Sequence, residues 1–122
     1  MSFSTFTITI LYDNQSKRDD LLPSHGFSCL IEDNKGGKVL FDTGESGPLL
    51  LTNMKQLGID VNSIGKVFLS HEHYDHVGGL VSILQMCPNV EVFIPPSFSN
   101  IFRGKLQNKP ELLRKVCLGM EI

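Results

Sequence analysis

The sequence predicts an α/β fold, a mixed sheet with flanking helices. Three observations carry it. The chain opens on an alternating segment. Two short apolar runs joined by an Asn/Gly turn follow, and the second half reads strand, helix, strand. Of the 122 residues, 41% are hydrophobic and 20% charged, the profile of a packed globular domain and not of a disordered chain.

Thr5–Tyr12 alternates Phe6, Ile8 and Ile10 with Thr5, Thr7 and Thr9, which predicts a strand with the apolar side buried. Asp13–Ser24 is polar, contains Pro23 and reads as a long loop, of the kind that caps or serves a site. Gly26–Glu32 and Lys38–Asp42 flank Asp33-Asn34-Lys35-Gly36-Gly37, whose Asn and Gly accept positive φ, so the pair predicts a β-hairpin. After the Gly-rich Thr43–Gly47, Pro48 suits the first turn of a helix over Leu49–Leu57, and Gly58 suits its C-terminal stop. Lys66–Ser70 is a short apolar run and reads as a strand buried on both faces. Leu80–Met86 predicts a helix that stops before Pro88, and Val90–Ile94 a strand ended by Pro95-Pro96. From Ser97 onward the pattern weakens, and Glu111–Leu118, led by Pro110, is read as a helix.

Eleven Lys and Arg against 13 Asp and Glu give a net charge of −2, which supplies no footprint for nucleic acid. No segment reads as a signal peptide or a membrane span, so the expected setting is cytoplasmic, without nucleic-acid or membrane partners. Cys29, Cys87 and Cys117 are odd in number and lack CxxC spacing, which reads as reduced thiols.

Residues 71–76, His-Glu-His-Tyr-Asp-His, concentrate three of the four histidines in six positions. In an extended segment His71 and His73 project to the same side, where two imidazoles can hold one borderline-soft cation. Asp75 and His76 open the next helix and offer a carboxylate and an imidazole to a second divalent ion. Glu72 is expected to point away from the ligands, and Tyr74 to pack or to line a rim. Gly78-Gly79 lets the backbone pass close to its neighbours. The place, between the end of a strand and the start of a helix, is where α/β folds bind ligands.

The stretch Ser70-His71-Glu72-His73-Tyr74-Asp75-His76-Val77-Gly78-Gly79 resembles the signature of the metallo-β-lactamase superfamily, and Lys38–Gly44 and Leu57–Ser70 resemble the segments preceding it. His25-Gly26-Phe27-Ser28 with Leu30-Ile31-Glu32 is similar to the branch of dihydropterin-ribofuranosylaminobenzene phosphate synthases and related metal-dependent hydrolases. The likeness covers roughly Phe6 to Pro96.

The resemblance implies an αββα sandwich, of which this chain carries the N-terminal half as a single apparently truncated domain over residues 1–122, with the metal loop at 70–79. It implies two divalent ions in the complete site, zinc first, with iron or manganese as alternatives. By motif match His71 and His73 bind one, and Asp75 and His76 the other. The implied reaction is hydrolysis of an ester, phosphoester or lactone by metal-activated water, with Asp75 also orienting the nucleophile. The implied substrate is a small molecule, phosphorylated or heterocyclic. Asp42 is open between orienting a metal-loop residue and a local Asx-turn, and His25 between lining the pocket and being an ordinary loop histidine. Diiron redox members typically carry glutamate at the position of His73, which favours hydrolysis here.

The family pattern continues with further histidines and a bridging acid. This chain has no His after His76, which leaves two protein ligands per ion, fewer than the usual three of a catalytic zinc site. One half of the sandwich would also expose the inner face of its sheet. The expected explanations are a fragment, one subunit of a split or homodimeric enzyme, or a degenerate non-catalytic binding module that pairs with another chain.

Overall fold

A computed structural model describes residues 5–16, 18–87, 89–107 and 115–118. The described strands form a single mixed sheet in the order β1 (Phe6–Tyr12), β2 (Ser28–Asp33), β3 (Lys38–Phe41), β4 (Lys66–Phe68), β5 (Glu91–Ile94) and β6 (Lys115–Leu118). The first three strands are antiparallel neighbours; β3 to β6 run parallel. The helices are α1 (Gly47–Gln56), a single turn α2 (Tyr74–Val77), α3 (Leu80–Met86) and α4 (Asn100–Gln107).

The hairpin forms where the sequence places it. Asp33 fixes the turn by accepting the Lys35 and Gly37 N–H groups at Oδ1, 2.8 and 2.7 Å, while Gly36 takes φ +91°. Those bonds hold the Asp33 carboxyl below its ordinary pKa. Helix α1 starts at Ser46, whose Oγ accepts the Leu49 N–H at 3.3 Å, with Pro48 in its first turn and Gly58 in the left-handed region just past its end.

The core lies on one side of the sheet. Leu30, Leu40, Val67 and Val92 occupy one row across β2 to β5, and all four are fully buried with Leu50 and Met54 of α1 and Leu80, Ile83 and Leu84 of α3. Helix α1 also packs on β1 and α3. Asn53, 1% exposed, fastens the long loop to this core. Its Nδ2 donates to the Leu11 and Leu22 carbonyls at 2.9 and 3.0 Å, and its Oδ1 accepts the Leu22 N–H at 2.9 Å.

Three expectations are corrected. The apolar side of β1 is not buried: Phe6, Ile8 and Ile10 are 66%, 63% and 48% exposed. The register puts them beside Ile31 and Cys29, on the face away from the helices. An irregularity between Ile10 and Tyr12 then turns both Leu11 and Tyr12 into the core. For the same reason β4 is covered on one face only, with Val67 fully buried and Phe68 half-buried, stacked on Phe93 at 4.5 Å. Finally, Lys115–Leu118 is a strand and not part of a helix, paired in parallel with β5 from Glu91↔Lys115 to Ile94↔Leu118; the free edge of β5 offers its backbone groups to this short run. The rest of the expected helix, 111–114, lies outside the described residues. Helix α4 was not anticipated in the sequence.

Candidate metal centre

The parallel strands β3 and β4 end side by side, and two loops leave from there. The first, Asp42–Ser46, is gripped from both sides. Asp42 N–H donates to the Phe68 carbonyl at 2.8 Å, Thr43 N–H to the His76 carbonyl at 2.7 Å, and Gly44 N–H to the Phe27 carbonyl at 3.0 Å. The second runs from Leu69 through the His/Asp cluster into α2. Gly79 docks on the first loop, its N–H bonded to Thr43 Oγ1 at 3.0 Å, and a Cβ on Gly78 or Gly79 would collide with the carbonyl of Glu45 or Thr43. Gly26, at φ +122°, lies against the Asp75 carbonyl in the same way.

Asp42 organises the cluster. It is 1% exposed and holds φ +56°, a left-handed conformation that Asp tolerates better than most residues. Its Oδ1 accepts the Ser70 N–H at 2.7 Å; its Oδ2 contacts Ser70 Oγ at 2.6 Å and His76 Nδ1 at 2.8 Å. Ser70 Oγ also lies 2.8 Å from His71 Nδ1. One assignment of protons satisfies every contact. Ser70 donates its hydroxyl to Asp42, His71 Nδ1–H donates to Ser70, and His76 Nδ1–H donates to Asp42. In both histidines Nε2 is then the nitrogen left for a cation. The Asp42 carboxylate thus bonds Ser70 and His76, 28 and 34 residues away, and not its local backbone.

The remaining residues of the loop gather around these histidines. One ligand atom from each of His71, His73 and Asp75 lies within 4.8 Å of the other two, and the same holds for Asp42, His71 and His76. The His71 ring is 4.8 Å from that of His73 and 4.1 Å from that of His76, centroid to centroid. Asp75 Oδ2 is 3.5 Å from His76 Nε2 and 3.3 Å from His25 Nε2, so the exposed His25, just past the long loop, reaches the cluster. Imidazole nitrogens with a carboxylate at such distances fit zinc, iron or manganese by donor chemistry. Tyr74 is 62% exposed, and Glu72 turns away to Ser99. Two features escaped the sequence reading. The Ser70 hydroxyl carries no mark in a motif beyond its place next to His71, and the Glu72–Ser99 contact joins residues 27 apart.

Among the described residues no helix is long and apolar enough to cross a membrane. The buried thiols of Cys29 and Cys87 form no disulfide, and burial pushes the pKa of each up.

Comparison with known proteins places this geometry. The profile of the metallo-beta-lactamase superfamily matches residues 21–111. The chain is 35% identical over 109 residues to a 7,8-dihydropterin-6-methyl-4-(beta-D-ribofuranosyl)-aminobenzene-5'-phosphate synthase of Methanocaldococcus jannaschii, covering 86% of this chain and 36% of that protein. It is 36% identical over 66 residues to a hydroxyacylglutathione hydrolase of Citrobacter koseri, covering 54% of this chain and 25% of the hydrolase. The MIM-2 metallo-beta-lactamase structure superposes with a TM-score of 0.62 at 23% identity, over 80% of this chain and 39% of that one, a likeness of fold. The chain thus spans about a third or less of the length of the curated relatives it matches. With its mixed sheet, flanking helices and His/Asp loop at the strand ends, it belongs to the metallo-beta-lactamase superfamily.

Proposed function

We propose that the chain is the metal-binding half of a metal-dependent hydrolase acting on a small ester or phosphoester. The observation that carries the reading is the convergence of donor atoms of His71, His73 and Asp75 within 4.8 Å. His71 and His73 would hold one divalent ion, and Asp75 and His76 a second, zinc before iron or manganese. Such an ion supplies Lewis acidity: it makes water a better nucleophile near neutral pH and offsets negative charge developing on the attacked centre. The chain's own residues set the stage for that. Ser70 and Asp42 fix which nitrogen His71 and His76 present. Asp75 would accept a hydrogen bond from a water held there and orient it. His25, beside Asp75, lies where it can donate to a phosphate or carbonyl oxygen of substrate. The likeness to the dihydropterin phosphate synthase favours a phosphorylated or heterocyclic substrate.

The open face of the sheet supports the second part of the reading, that this half works with another. A second sheet packed on Phe6, Ile8, Ile10, Phe68 and Phe93 would complete a sandwich and bring the further ligands that two residues per ion require. That sheet comes from a complementary C-terminal half or from a second copy of this chain. A second reading, a non-catalytic module that pairs with another chain through this face, rests on the same exposure.

Elemental analysis of the purified chain, as isolated and after reconstitution with zinc or manganese at neutral pH, tests the metal. At least one ion per chain is expected, lost in His71→Ala and Asp75→Ala. A chain that takes up neither metal contradicts the proposal. Ester or phosphodiester hydrolysis abolished by both substitutions separates the enzyme from the binding module.

A further inference from the structure

Helix α4 begins at Ser99. The Ser99 Oγ accepts the Phe102 N–H at 3.1 Å and the Ser99 carbonyl accepts the Arg103 N–H at 3.1 Å, so Ser99 is its N-cap. In a capping box the third helical residue is Glu or Gln, and its side chain returns to bond the N–H of the cap. Here that residue is Phe102, which has no acceptor. Glu72 takes its place from 27 residues upstream. Its Oε1 accepts the Ser99 N–H at 2.8 Å and its Oε2 accepts the Ser99 hydroxyl at 2.7 Å. The hydroxyl thus donates once and accepts once, the cap N–H is paired, and a carboxylate stands at the positive end of the helix. Phe98, 4% exposed, and Phe102 stack edge to face at 4.9 Å, and Phe98 lies in the core, so the cap is seated on something rigid.

Glu72 is also the residue between His71 and His73. On one side of it the loop is held where Ser70 bonds Asp42. On the other, the His73 carbonyl accepts the His76 and Val77 N–H groups and starts α2. Between these two holds, the Glu72 carboxylate ties the middle of the loop to Ser99 through two hydrogen bonds. We propose that Glu72 is a positioning residue. By closing the N-cap of α4 it holds the backbone between His71 and His73 in the orientation that presents both imidazoles together, and it couples metal binding to the order of α4. The inference rests on the metal-binding reading above, and its test separates the two.

The experiment compares the wild-type chain with Glu72→Ala, Glu72→Gln and Ser99→Ala by residue-resolved hydrogen exchange, without metal and with zinc, and by zinc affinity in chelator competition. Without metal, Glu72→Ala is expected to speed exchange at the Ser99 and Phe102 amides by about tenfold. Its zinc affinity should fall by about tenfold, the lower range for residues that orient ligands. Glu72→Gln, whose amide oxygen still accepts the Ser99 N–H, should recover most of both losses. Zinc should slow exchange at Phe102 and Arg103 in the wild type and not in Glu72→Ala. Unchanged zinc affinity in Glu72→Ala, or equal protection of α4 by zinc in both proteins, overturns the coupling. If the wild type binds no zinc, the functional reading fails, and unchanged metal-free exchange in Glu72→Ala would also remove the cap. Should Glu72→Ala not fold, Ser99→Ala, which deletes the hydroxyl and keeps the N–H, carries the same comparison at smaller amplitude.

Discussion

On the helix-covered face of the sheet, Leu30, Leu40, Val67 and Val92 have no exposure, whereas on the opposite face Phe6, Ile8 and Ile10 are 48–66% exposed. The register continues that open row through Ile31, Val39, Phe41, Phe68 and Phe93, all half-buried. Both faces are apolar, yet only one has helices against it. Alternation in a strand therefore reports that its two sides differ, and it does not report which side is covered. The threonines of β1 mark its helix-side face near the sheet edge, while its apolar residues join the uncovered face. Apolar residues on both faces are the pattern that sandwich packing covers from both sides.

The largest effect should separate the faces by stability. Leu40→Ala removes a fully buried side chain and should cost about 3 kcal/mol, while Ile8→Ala should stay within about 0.5 kcal/mol, both read by urea unfolding. Equal costs at a concentration where the chain is monomeric would mean that the open face is covered within the chain itself. Next comes the edge where the site sits. Asp42→Ala takes the buried partner from the half-buried Ser70 N–H and His76 imidazole and should cost about 2 kcal/mol. Asp42→Asn, which keeps the left-handed backbone but offers one acceptor oxygen fewer, should unfold later than Asp42→Ala and still bind zinc about tenfold more weakly than wild type.

Association offers a third contrast. Sedimentation at rising concentration should show self-association that Ile8→Asp weakens by about tenfold, because a carboxylate in an apolar contact must be desolvated. Val81→Asp, at a 44% exposed position on α3, should leave it unchanged. The smallest effect concerns the thiols. Burial raises the pKa of both Cys29 and Cys87, so at neutral pH each should alkylate more slowly than a free cysteine and speed up as pH rises. Cys29 belongs to the open face by register and Cys87 donates its Sγ–H to the Val61 carbonyl at 2.9 Å, so Cys29 should react first.

What was legible in the sequence is what depends on neighbours a few residues away. The turn at Asp33–Gly37, the proline and glycine bounding α1, and the strand-to-helix passage at His71–His76 each carry their own local signal. The rest depends on distant partners. Helix α4 is poor in apolar residues overall, and the acid of its cap sits at Glu72. Residues Lys115–Leu118 form a strand paired with the edge of β5, a partner some twenty residues away that the local pattern does not show. Asn53 looks like an ordinary helix residue until Leu11 and Leu22 are brought to it. At the site, the histidine and aspartate positions were readable from spacing. The proton arrangement through Ser70 and Asp42 required the fold, since Asp42 and Ser70 lie 28 residues apart.

The central claim is that the loop at the end of β4 is built to hold a divalent ion. Zinc affinity of the 122-residue chain at pH 7, measured by chelator competition for the wild type, His71→Ala and His25→Ala, addresses it directly. The account predicts saturable binding by the wild type, at least about 100-fold weaker binding by His71→Ala, and a change within about threefold for His25→Ala, which borders the cluster without belonging to its donor groups. A wild-type chain that binds no zinc, or a His71→Ala chain that binds it equally well, would contradict the claim.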